Sequence, residues 1–353
     1  MGDFKHSPFN HSSHPRPFDA TFAGALTTRK ITKDPQHDWS SMNTTSGSIK
    51  RSEAKLSVSS STSTVPVARE VLHAPTVTPA PSVVISPMAP RSVDPDTIFP
   101  IVTKLKAAVW ELALKDAGIL DEFSDIPIGL RQGFFCGLER FSLASTFIPP
   151  NHYTSQEDED FIISKYSEEI SLGRLSHGYD PHKLFSLIGN FPTAPLAVIT
   201  HGNKHRVIIN HSFPKTAACI ILDNLLYNST EGYIIDPTHT SINTVIDSKK
   251  FQCAWGSFSE CYLLVADAPE GTQAAVFDVD AAFRNIPSHP SARPFLAIMI
   301  KELIHLDHVL NFGASPSPGI FRRVADALVR IFLHRGIEAV VKWVDDYVTL
   351  YAN

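Results

Sequence analysis

Cysteine is scarce in this chain, and what there is has no pattern. Cys136, Cys219, Cys253 and Cys261 are the only four in 353 residues, without a CxxC pair or zinc-like spacing. They read as reduced, partly buried thiols, which argues against a disulfide scaffold and against a structural zinc centre. Sixteen histidines are present, yet no HExxH or comparable helical pair occurs, and His6, His11 and His14 fall in the first fifteen residues. No apolar run approaches the roughly 18 residues a membrane helix needs, and no signal peptide opens the chain. The expectation is a soluble intracellular protein, cytoplasmic or nuclear, neither secreted nor bound to a membrane. An excess of positive charge is also lacking. Formal net charge is −5, so bulk charge gives no support for nucleic-acid binding, although a basic groove can coexist with an acidic exterior.

Composition divides the chain unevenly. Residues 1–96 are rich in Ser, Thr, Pro and His and hold ten Lys and Arg against eight Asp and Glu. Stretches such as SVSSSTSTVPVA cannot bury enough apolar surface to offset ordering entropy, so this tail is expected to be disordered. The remainder is acidic and long enough for one large domain or two lobes.

The most informative segment is VVKWVDDYVTLYA, where Asp345 and Asp346 separate two short runs rich in β-branched and aromatic residues. Each run reads as a strand, so the acidic pair sits at a hairpin tip. Adjacent carboxylates repel, and protonation, solvent or a cation relieves the repulsion. Asp also suits turns in its own right. Upstream, AAVFDVDAAFRNIP ends a strand, Ala274 to Phe277, at Asp278, and Asp280 competes with it for any role. Carboxylates from separate strands are what a two-metal phosphoryl-transfer site requires.

FDVDAAFRNIPSHP, LNFGASPSPGIFRRVADAL and VKWVDDYV resemble, in order and spacing, motifs A, B and C of reverse transcriptases. The variant most similar is that of DIRS-type retrotransposons, which also encode a tyrosine recombinase. RVIINHSFPK, SINTVIDS, SEEISLGRL and FPTAPLAVI extend the resemblance, which covers roughly residues 100–353. It implies an α+β fold: polymerase fingers and palm, with an antiparallel palm sheet flanked by helices and preceded by the disordered tail. The implied division is tail 1–96, helical lead-in and start of the fingers 97–200, and fingers and palm 201–353.

The same resemblance assigns roles. Asp278, Asp345 and Asp346 correspond to the catalytic metal ligands, with Asp345 ranking above Asp346. Two Mg²⁺ ions, or Mn²⁺ in their place, are implied, one at the primer 3′-hydroxyl and one at the triphosphate. Phe283 stands where the family keeps an aromatic gate against a 2′-hydroxyl; without the resemblance it reads equally well as a core aromatic. That gate favours a DNA product over an RNA-dependent RNA polymerase. Arg206 corresponds to the fingers arginine at the triphosphate, with Lys204 a nearby candidate for the fingers lysine. Gly313 and Pro318 correspond to the turn opening the motif B helix, and Phe312 precedes that glycine where many relatives carry Gln. Trp343 replaces the more usual Tyr or Phe, and Thr216 to Thr240 reads as an insertion. Implied partners are an RNA or DNA template-primer and dNTPs, with RNase H and recombinase domains on an intact polyprotein. Asn353 follows Asp346 by seven residues, so a form truncated after motif C, without thumb or RNase H, is expected. A catalytically inactive fragment or a nucleic-acid-binding remnant is the alternative.

Local patterns add helices at Thr97 to Lys115, with Ile101, Leu105, Val109, Leu112 and Leu114 as its apolar residues, at Asp158 to Leu175, at Gly256 to Ala266 and at Pro316 to His334. The last carries an apolar face of Ile320, Phe321, Val324, Leu328, Ile331 and Phe332 and a C-terminal Gly336. Arg322, Arg323 and Arg330 lie off that face, as a solvated basic surface or as contacts to a phosphate backbone.

Overall fold

Residues 26–31, 98–153, 155–202, 204–215, 226–228, 232–337 and 339–351 are described by the computed structural model. All of them belong to one compact unit of an α+β chain. In chain order the elements begin with strand β1 (Leu26–Ile31), helices α1 (Ala107–Asp116) and α2 (Asp125–Gln132), and β2 (Phe141–Leu143). Helices α3 (Gln156–Ser171) and α4 (Pro181–Ile188) then lead to β3 (Thr193–Ala194), β4 (Leu196–His201) and β5 (Lys204–Ile209). Next come β6 (Leu226–Asn228), β7 (Gly232–Ile235), α5 (Ile242–Val245), α6 (Phe258–Ala266) and β8 (Gln273–Val279). The final elements are β9 (Ala297–Ile300), β10 (Leu303–Leu306), α7 (Ser317–His334), β11 (Ala339–Trp343) and β12 (Asp346–Tyr351).

The sheet that matters most has the order β1–β8–β12–β11, with every neighbouring pair antiparallel. Its strands alternate strictly. Ala275 and Phe277 on β8, and Tyr347 and Thr349 on β12, point to one face, which α7 covers through Phe332. Val276 and Asp278, with Val348 and Asp346 opposite them, therefore point to the other, more open face. A one-residue slip would exchange these sets, so the fully buried Tyr347 pins the register.

Helix α7 is the element the sequence describes best. Ile320, Phe321, Val324, Leu328, Ile331 and Phe332 are all buried in the largest core cluster, as their spacing requires. Each contributes about 1.5–3 kcal/mol of apolar burial. The helix ends in a Schellman motif: Gly336 is left-handed, its N–H donates to Leu333 O, and Ile337 N–H donates to Phe332 O. Two smaller clusters lie under α4 with β9 and β10, and under α3 with β4 and β5.

Two expectations need correction. The helix read from Thr97 starts only at Ala107, because Thr103 Oγ1 donates to the Asn285 carbonyl (2.6 Å) and accepts from Leu105 N–H (3.0 Å), holding the preceding segment in a bend. Leu112, assigned to its apolar face, is exposed. Of the expected disordered tail only β1 is described, paired with the edge of β8; the rest of 1–96 lies outside the described residues, as do residues 216–225 and 229–231 of the expected insertion. The arginines of α7 lie off its apolar face as expected, half-buried or exposed, and each is engaged by a carboxylate. Arg323 pairs with Asp125 (2.9 Å) and stacks on Phe123, Arg330 pairs with Glu122 (3.3 Å), and Arg322 pairs with Asp326 (3.2 Å). No helix among the described residues is long and apolar enough to cross a membrane.

Candidate active site

The hairpin expected around Asp345 is present. β11 and β12 are joined by a two-residue turn, Val344 and Asp345, so Trp343 faces Asp346 across the ladder. Val344 has φ 55°, a left-handed conformation that a β-branched residue rarely adopts. Its side chain packs against the main core, and that packing holds the strained backbone in place.

The hairpin is registered on β8 through the Val279 N–H, which donates to the Asp345 carbonyl (3.0 Å). That bond makes Val279 and Asp345 the hydrogen-bonded position, so the next pair, Asp278 and Asp346, is a non-hydrogen-bonded one. Side chains approach most closely at such positions, with Cα atoms about 4.5 Å apart. Asp278 and Asp346 are exposed, Asp345 is half-buried at the tip, and Trp343 completes the row Trp343–Asp346–Asp278 across three strands. The register thus sets Asp346, not Asp345, directly opposite Asp278.

Behind Asp278 the chain turns through Ala281, left-handed at φ 50°, into a short 3₁₀ segment, Ala282–Asn285. Asn285 Nδ2 closes this turn on the Asp280 carbonyl (2.7 Å), leaving the Asp280 side chain exposed. Phe283 is buried in the main core, beneath Phe312 (ring centroids 4.7 Å) and edge-on to Phe321 (5.4 Å). Phe312 itself is exposed, so it forms the outer layer of the aromatic stack. Next to Phe283, Arg284 points into the interior. Its Nη1 donates to both carboxylate oxygens of Asp307 (2.7 and 2.8 Å), and it pairs with Glu169 on α3 (2.7 Å), which also holds Arg174 (2.7 Å). Those carboxylates hold the Arg284 guanidinium well above its ordinary pKa despite burial, so it remains charged. This network was not foreseen from sequence; the only signal was an arginine beside an apolar residue that the core had to bury.

Gly313 lies in the turn before α7 at φ 119°, and a Cβ there would run into the Ile209 carbonyl at the end of β5. Glycine is required on both counts. Pro318 occupies the first turn of α7, where its missing N–H costs nothing. Arg206 is exposed on β5, opposite Ile199, three residues before Ile209, whose carbonyl a Cβ at position 313 would strike. Lys204, at the start of the same strand, is likewise exposed. Among the described residues no group of three or more His, Cys, Asp or Glu forms a metal cage.

No protein-family model matches this chain, and no curated protein matches it. Among solved structures it is similar to a foamy virus protease–reverse transcriptase in complex with double-stranded DNA, with TM-score 0.38 and 13% identity over 57% of this chain and 28% of that one. The native protease–reverse transcriptase of prototype foamy virus aligns with TM-score 0.36 and 14% identity, over 57% of this chain and 21% of that one. The chain spans well under a third of the length of either, and likenesses of this size assign it no activity.

Proposed function

We propose that this chain carries the nucleotidyl-transfer core of a retrotransposon's RNA-directed DNA polymerase, of the DIRS type. The observation that supports it is the cross-strand pair of Asp278 and Asp346, with Asp345 one residue away at the hairpin tip. Mg²⁺ keeps several waters and is usually bound through one or two carboxylates plus substrate phosphates, so this pair suits it without a closed cage. Asp278, Asp345 and Asp346 would hold the ions, which supply Lewis-acid stabilisation of phosphoryl charge when bound. The chain's own residues do the rest. Arg206 offers an exposed guanidinium to a triphosphate. The Phe312–Phe283 stack presents an aromatic wall that would crowd a 2′-hydroxyl, and the Gly313 turn with Pro318 fixes where α7 begins. Template-primer and dNTPs are the partners this arrangement suits.

The test is primer extension on poly(rA)/oligo(dT) with Mg²⁺, run beside Asp345→Asn. Extension by the chain that is lost in the variant supports the reading. Folded protein without extension sinks the claim of activity and leaves a non-catalytic fragment. For sugar discrimination Phe283→Leu is the informative change, because truncating a buried Phe to Ala costs about 3–5 kcal/mol and confounds the assay. Phe283→Leu should raise ribonucleotide incorporation; unchanged discrimination removes the gate assignment.

A further inference from the structure

The segment SINTVIDS has no part in the reading above, yet Asn243 within it makes an unusual set of bonds. Its Nδ2 donates to the Gly313 carbonyl (2.7 Å) and to Ser212 Oγ (2.9 Å). Its Oδ1 accepts from the Ser315 N–H (2.8 Å), and its backbone N–H donates to the His211 carbonyl (3.1 Å). One half-buried side chain therefore ties the loop after β5 to both sides of the turn that opens α7. Gly313 has no side chain with which to anchor itself, and a Cβ there would run into the Ile209 carbonyl at the end of β5. The bonds are polar and near the surface, worth about 1 kcal/mol each, whereas α7 is secured by its buried apolar face. Losing them frees the turn without unfolding the helix.

We infer that Asn243 is a positioning residue. It holds the Phe312–Gly313 turn on the end of β5, and so sets the aromatic wall against the strand that carries Arg206. The inference rests on the nucleotidyl-transfer reading for its functional consequence, but its geometry can be tested separately. A side-chain amide is needed, since the site uses donor and acceptor together. Asp retains the acceptor for Ser315 N–H and loses the donor to Gly313; Ala loses both.

Amide hydrogen exchange on the full chain tests the tether. Asn243→Ala should speed exchange of the Ser315 amide about fivefold, the loss of one hydrogen bond of about 1 kcal/mol, with amides around Leu328 unchanged. Asn243→Asp should leave Ser315 protected. On a chain that extends primers, Asn243→Ala should raise KM for dNTP about tenfold, with kcat within about twofold, and Asn243→Asp should fall between. Unchanged Ser315 exchange, equal loss of protection throughout α7, or an unchanged KM overturns the proposal. If the unaltered chain extends no primer while Ser315 responds as stated, the polymerase reading fails and the tether stands.

Discussion

Asp278 and Asp346 face one another from adjacent antiparallel strands at a position where side chains come closest and no backbone bond intervenes. Like charges so placed destabilise a sheet by about 0.2–1 kcal/mol. Asp346→Asn should therefore raise the melting temperature slightly in metal-free buffer while abolishing extension. Added Mg²⁺ should stabilise the unaltered chain and not the variant. Equal Mg²⁺ shifts in both would show that the pair binds no ion.

Val344 holds a left-handed backbone that costs an L-residue roughly 1–2 kcal/mol. Val344→Gly removes that strain and loses a half-buried side chain plus backbone entropy of about 0.5–1 kcal/mol, so the effects nearly cancel. Urea unfolding should place it within about 1 kcal/mol of the unaltered chain. Val340→Gly, in extended backbone four residues before the turn, should cost at least about 1.5 kcal/mol more. Equal losses would argue against strain at the tip.

Buried and exposed ion pairs should behave differently here. Glu169→Gln leaves Arg174 and Arg284 charged and undercompensated in the interior, a loss of about 3–5 kcal/mol. Arg330→Met breaks an exposed pair with Glu122 and should cost less than about 1 kcal/mol. Denaturant midpoints at constant m-value decide it, and comparable losses would contradict the burial of the network.

His211 is fully buried, and burial pushes its pKa down to about 4. The unfolded chain, with a histidine near 6.5, binds the proton first, so stability is fully present above pH 6.5 and falls as pH drops from there toward 4. Comparing the unaltered chain with His211→Leu isolates this contribution from the carboxylates. The stability difference between them should shrink in favour of the variant between pH 7 and pH 4.5. A pH-independent difference would mean His211 is not buried as described.

Much of this arrangement could be read in the residues themselves. The acidic tip was legible because β-branched and aromatic runs flank it on both sides, and α7 because six apolar residues keep helical spacing for its whole length. What escaped the sequence depends on partners distant in the chain. The α7 arginines take their meaning from Asp125 and Glu122, the start of α1 from a threonine bound to Asn285, and β1 from an unpaired edge of β8. The SINTVIDS segment stood out by resemblance alone; only the fold brings Asn243 to Gly313.

The pairing of β1 with β8 has a consequence for assembly. The strand that completes the sheet beside Asp278 is synthesised first, while the edge it joins is made only after most of the chain has emerged. Pairing across so long a loop is slow. Until it occurs, β8 presents open backbone groups that can recruit a strand from another molecule, so the interval before closure is when this sheet is most exposed to aggregation.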